Sequence, residues 1–192
     1  MKRNRAISQF MMYAALPLGL WFVVEYAVTV VGTRHLMLAA LRTPMMLGTP
    51  IALCYLLIQI RKRFFPADEF SRFRCWYYGV QTMFFAGLIE AMAVICYNQW
   101  IAPDNLAEMR QAMIAQYGEV LQMYQQMSGG QQMLGGLMDN FEQAIEVLKT
   151  AEVETPFTAA ITLLSNDIFY GILWSIPFSF ALHRNPNNNN NA

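Results

Sequence analysis

The chain has 192 residues, of which 56% are hydrophobic and 14% charged, against roughly 25% charged in an ordinary soluble domain, so lipid rather than water is the solvent for much of it. Thirteen Lys and Arg offset thirteen Asp and Glu, which removes the global basic excess that binding a nucleic acid through its phosphates requires. Cys54, Cys75 and Cys96 fall in or beside apolar blocks with no CxxC pair and no His at ligand spacing; they read as buried small hydrophobes, and neither a metal nor another cofactor is expected.

Lys2, Arg3 and Arg5 followed by an apolar stretch imitate a signal peptide. The stretch exceeds the roughly 7–15 residues of a signal core and contains Glu25, so it is read as an uncleaved first helix over residues 10–31. A short connector with Arg34 and His35 leads to a second span over 43–60, where Pro44 and Pro50 predict a kink or an irregular start. Arg61, Lys62, Arg63, Arg72 and Arg74 make the next connector strongly basic against Asp68 and Glu69. The third span, 75–101, opens with Trp76, Tyr77 and Tyr78 and closes with Tyr97 and Trp100, as headgroup belts favour.

Residues 102–156 form the longest connector. Its Leu106, Met109, Met113, Tyr117, Val120, Tyr124 and Met127 recur every three or four positions, the stripe of an amphipathic helix. Asn105 and Glu108 suit a capping box at its start. Ser128-Gly129-Gly130 and Gly135-Gly136 are read as breaks, after which Leu137, Phe141, Ile145 and Leu148 begin a second stripe. The pattern predicts two antiparallel helices joined by a glycine-rich hinge. The six methionines of the segment have no Cys or His beside them, so they read as hydrophobic surface rather than as copper ligands. A fourth span over 157–182 precedes an asparagine-rich tail, 183–192, expected to be disordered.

Lys and Arg near the span ends orient the bundle. Three at the N-terminus, five in the 61–74 connector and Arg184 at the C-terminus outweigh Arg34 and Arg42, which predicts both termini in the cytoplasm. Residues 102–155, with eight acids against Arg110 and Lys149, then lie outside. The fold expected is all-α: an integral membrane four-transmembrane-helix bundle with an extracytoplasmic amphipathic helical hairpin between the third and fourth spans.

Charge inside a span costs about 2.5–3.5 kcal/mol at a helix centre on insertion scales, so each case needs a reason. Glu25, Glu90 and Asp167 lie roughly 14–15 residues from the cytoplasmic ends of their spans, at about 21 Å depth. With suitable helix rotation they form one polar cluster, with Arg42 as counter-ion and Asn166, Asn98 and Gln99 completing a hydrogen-bonded network. Two readings stay open: a site for an ion, proton or small solute, or a polar latch that fixes helix register. Gly79, Ala86 and Gly87 in the third span and Ala159, Ala160 and Gly171 in the fourth predict close helix contact. Enzymatic chemistry is not expected: His35 and His183 fall on opposite sides of the membrane, and GxSxG, P-loop, GxGxxG and HExxH motifs are absent from the sequence.

The order of several motifs resembles a family of bacterial integral membrane proteins classified only as a domain of unknown function. They are Phe70-Ser71-Arg72-Phe73, Gly79 and Tyr97 in the third span, the exit Ile101-Ala102-Pro103, Thr155-Pro156 before a last span with Gly171 and Ser175, and the ending His183-Arg184-Asn185-Pro186. The resemblance covers most of the chain and implies four spans in an inner membrane; it supplies no activity. The expected partners are membrane lipid and either a second copy or another membrane protein. A scaffold or interaction protein acting through its outer hairpin is the leading expectation, and a small transporter or channel component is the alternative.

Overall fold

Apolar stretches this long close their backbone hydrogen bonds within helices, because lipid offers no partner for a free N–H or C=O. The computed structural model describes residues 2–33, 36–65, 70–126 and 131–182. Its helices are α1 (Lys2–Gly32), α2 (Leu36–Phe64), α3 (Arg72–Cys96) running into a π-helical turn (Tyr97–Ile101), α4 (Asn105–Gln126), α5 (Gln131–Thr150) and α6 (Pro156–Leu182). Four stretches, of 28, 25, 30 and 27 residues in α1, α2, α3 with its π turn, and α6, are long and apolar enough to cross a membrane. The chain is a multi-pass membrane protein built as a helical bundle.

Two spans begin earlier than their hydropathy alone implies. α1 starts at Lys2 because its first turns have something to cover: Ile7 and Met11 are buried against the rest of the core. α2 starts at Leu36, about two turns before Pro44, and continues through Pro44 and Pro50, so the irregular start expected there gives way to an earlier regular one. Tyr78 departs from the expected belt. It turns inward onto Phe65 and Phe70, with ring centroids 6.1 and 6.5 Å away, while Tyr77 and Trp100 stay exposed. Cys75 is buried and Cys54 half-buried, but Cys96 lies on an exposed face of α3, against the expectation that all three are buried.

α3 is the central helix, packed most extensively on α6 and then on α1; α1 also covers α2. Small residues explain the tightness of the α3–α6 seam. A Cβ on Gly171 would lie 2.8 Å from Met83 Cβ, one on Gly87 would lie 2.7 Å from Asp167 Oδ2, and one on Gly79 would collide with Ser175 Oγ. The pairs 79/175, 83/171 and 87/167 are spaced four residues apart in antiparallel register, so at each step a glycine on one helix receives a side chain from the other. Lipid is as apolar as the interior, and close van der Waals fit of this kind is what holds such helices together. Gly19 of α1 plays the same part against Ile89 of α3, 2.7 Å from its Cδ1.

α4 and α5 pack on each other. The Arg110 guanidinium, near the start of α4, donates to the Ala151 carbonyl just beyond α5, which makes the pair antiparallel and brings its two ends together. Gly135 and Gly136 lie inside α5 and do not break it; a glycine in a helix interior costs only about 1 kcal/mol, which the good helix formers around them offset. The break expected at Ser128-Gly129-Gly130 lies outside the described residues, as do the Arg34–His35 connector, the acidic pair of the basic connector and the asparagine tail. Gly118 in α4 has nothing within 4 Å of an added Cβ. Gly118→Ala should therefore stabilise α4 by about 0.5–1 kcal/mol, read as roughly twofold to fivefold slower amide exchange in that helix by hydrogen-exchange mass spectrometry.

Candidate functional site

Polar side chains that cannot reach water within a bundle collect at the helix seams. Glu90 of α3 is 6% exposed, and its carboxyl meets that of Asp167 on α6. Asp167 is placed by the α3–α6 register: its side chain lies over Gly87, one turn from Glu90, where a Cβ would come within 3.1 Å of its own Cβ. The Oδ2 atom of Asp167 is buried and has no hydrogen-bond partner. Glu25 of α1 lies within electrostatic range of both acids, and Arg42 of α2 acts on Glu25 from an exposed position. The structure thus brings Glu25, Glu90 and Asp167 together, with Arg42 at the edge of the group. Among the described residues, no three His, Cys, Asp or Glu side chains converge closely enough to hold a metal ion.

Asn166 does not join them. It sits on an exposed face of α6, because consecutive helical residues point about 100° apart and Asp167 already occupies the inward direction. Gln99 is exposed as well. Both correct the expected network.

A second polar group, whose hub is Asn98, lies beside the acids. The π turn that ends α3 is closed by the Ala102 N–H donating to the Tyr97 carbonyl, 2.8 Å, and it carries Asn98 inward, where it is 1% exposed. Asn98 Nδ2 donates to the Tyr26 hydroxyl oxygen at 2.7 Å and to the Val94 carbonyl at 2.8 Å. Its Oδ1 accepts from Asn105 Nδ2 at 2.9 Å. Asn105 Nδ2 also reaches the Tyr26 hydroxyl at 3.4 Å and Met109 Sδ at 3.4 Å. Tyr26 also lies within electrostatic range of Glu90, so its phenol stands beside both groups.

Asn105 is therefore more than a helix cap. It ties the first turn of α4 to α1 and α3, and Leu106 beside it packs against Ala91, Val94, Ala159 and Ala160. Sequence reasoning missed Tyr26 and gave Asn105 a local role. The available signal was a tyrosine next to an intramembrane Glu, one helical face away from it, but nothing in one sequence says which α1 face meets α3.

A family model described as a protein of unknown function, DUF4199, matches residues 10–184. No curated protein and no solved structure matches the chain.

Proposed function

The chain belongs to the DUF4199 family of proteins of unknown function, and because that membership carries no activity, we propose from the geometry that it is a non-enzymatic membrane protein that presents the α4–α5 hairpin as an interaction element. In this reading it resides in a bacterial inner membrane with both termini in the cytoplasm and the hairpin outside. The partner is a second copy of the chain or another membrane protein. The observation that carries the reading is the Tyr26–Asn98–Asn105 network: a segment that only connected two spans would need no buried anchor, whereas one that must be held at a set angle does. The hairpin exposes Met113, Met123, Val147 and Val153, apolar side chains of the kind a partner covers. Glu90 and Asp167 then serve as a latch in the α3–α6 seam.

Arg110 meets Ala151, so residues 111–150 can be replaced by a short glycine–serine linker without disturbing Asn105. Under this proposal the shortened protein stays folded in detergent but loses its oligomerisation or its cross-links to neighbouring membrane proteins. Unchanged assembly and partner capture would sink the idea.

A second reading, movement of a proton, ion or small solute, is favoured by one observation, the approach of Glu90 to Asp167 from two helices with Glu25 of a third within electrostatic range. Two carboxylates are acceptors only, so a hydrogen bond between Glu90 and Asp167 needs a proton on one of them. Under that reading Glu90→Gln abolishes flux in proteoliposomes while assembly is retained. Under the latch reading Glu90→Gln leaves flux at the level of empty liposomes in both proteins.

A further inference from the structure

At the basic end of the bundle, away from the acids, a partly open cavity of about 320 Å³ lies between α1, Phe65 and the first turns of α3, at the lower bound of the roughly 300–1,000 Å³ of small-molecule sites. We propose that this cavity binds the phosphate of an anionic phosphate ester.

Its lining is the reason. Arg74, Ser8, Tyr77, Tyr78 and Gln81 contribute guanidinium, hydroxyl and amide donors, with Met11 and Phe65 as the apolar remainder. Among the described residues no acid lines it. A guanidinium carries five N–H donors in a planar fork that matches two phosphate oxygens, which is the chemistry Arg74 brings to the lining.

The site is also rigid where it needs to be. Phe65 and Phe70 are buried, with ring centroids 5.3 Å apart, and Tyr78 packs on both. Arg74 lies over the Phe65 ring at 5.5 Å, and its backbone N–H donates to Ser71 Oγ at 3.3 Å, which caps α3. Arg63 and Arg72, at the same end of the bundle, lie over Phe10 and Phe180, at 5.2 and 4.6 Å. A donor-lined hollow with an arginine in its wall, at the ends of membrane helices, is suited to a lipid headgroup, and the same chemistry would accept a free phosphate ester. Membrane-surface attraction by basic residues is diffuse; a cavity makes it specific to one residue.

The test uses the full chain in neutral phosphatidylcholine nanodiscs. Phosphatidylglycerol is titrated into the bilayer in one arm, and glycerol phosphate into the buffer in another, with bound ligand read by native mass spectrometry. Saturable uptake of phosphatidylglycerol that glycerol phosphate does not displace supports the proposal with a lipid as the source. Saturable uptake of glycerol phosphate alone supports it with a soluble ester as the source. Arg74→Gln should weaken uptake at least about tenfold, and Arg72→Gln, which is at the same end but not in the lining, less than about twofold. Should Arg74→Gln fail to fold, Gln81→Leu takes its place, with a loss of about threefold or more expected. Equal losses in Arg74→Gln and Arg72→Gln, an unaffected Gln81→Leu, or uptake of neither ligand above the phosphatidylcholine background would overturn it.

Discussion

Replacing Gly87 by valine is expected to lower the stability of the bundle by about 3 kcal/mol, the upper part of the range for overpacking a close-fitting interior. A Cβ at this position already meets Asp167 Oδ2 at 2.7 Å, Leu164 Cδ1 at 3.0 Å and Asp167 Cβ at 3.1 Å, and two further methyl groups must displace α6 or drive the carboxyl from its seat. Either movement separates the α3–α6 seam on which the centre of the bundle depends. In thermal unfolding of the detergent-solubilised protein the midpoint should fall by roughly 6–12 °C. Adding Asp167→Ala should restore part of the loss, with a coupling of about 1–2 kcal/mol in the double-mutant cycle. A Gly87→Val protein that melts with the wild type would show that the two helices are not joined through this glycine.

Asn98→Leu should cost about 2–3 kcal/mol. The leucine fits the volume, but it removes the bonds that Asn98 makes with the Tyr26 hydroxyl, the Val94 carbonyl and the Asn105 amide. Interhelical hydrogen bonds in membranes average about 0.6 kcal/mol, so three come to about 2 kcal/mol; the Val94 carbonyl keeps the Tyr97 N–H and Asn105 keeps Met109 Sδ, so the larger penalty of about 1–3 kcal/mol for an unsatisfied buried group adds only in part. The signature is local as well as global: limited proteolysis should cut near the start of α4 faster, because Asn105 no longer holds it. Gln99→Leu, one residue away on an exposed face, should stay within about 0.5 kcal/mol of the wild type. Equal behaviour of the two variants would remove Asn98 from its place as the hub.

How much of the site was legible follows from how each signal is encoded. An acid in an apolar block is conspicuous in one sequence, since its cost demands a partner, and Glu25, Glu90 and Asp167 stand out for that reason. They come within electrostatic range of one another although α1 begins at Lys2, earlier than hydropathy implies, because the side chains are set by contacts along the helices and not by distance from the ends. Asn166 illustrates the opposite case. It is adjacent to Asp167 in sequence and chemically as suitable, and only the rotation of α6 separates the inward residue from the exposed one. Tyr26 and Asn98 lie 72 positions apart, so their bond depends on the α1–α3 packing, which no local pattern reports.

The hairpin divides the same way. Its two stripes are periodic in the sequence, and Ile145 and Leu148 are half-buried as the second stripe predicts. Gly135-Gly136 reads as a break in one dimension, but it is absorbed into α5 because the helix around it is long enough to carry the cost.

The amino-acid sequence by itself determined four membrane-length helices, a connector with two amphipathic stripes between the last two, and the rows of small residues that permit close contact. Hydropathy and period are local properties, and they suffice for these. Only the tertiary structure decided which face of each helix turns inward. In water an amphipathic stripe announces that face, whereas lipid and protein interior are equally apolar, so the spans carry almost no stripe to read. The glycine register of α3 and α6, the approach of Glu90 to Asp167 with Glu25 in range, and the tie from Asn105 to Tyr26 all rest on that one missing quantity, helix rotation, which close packing supplies.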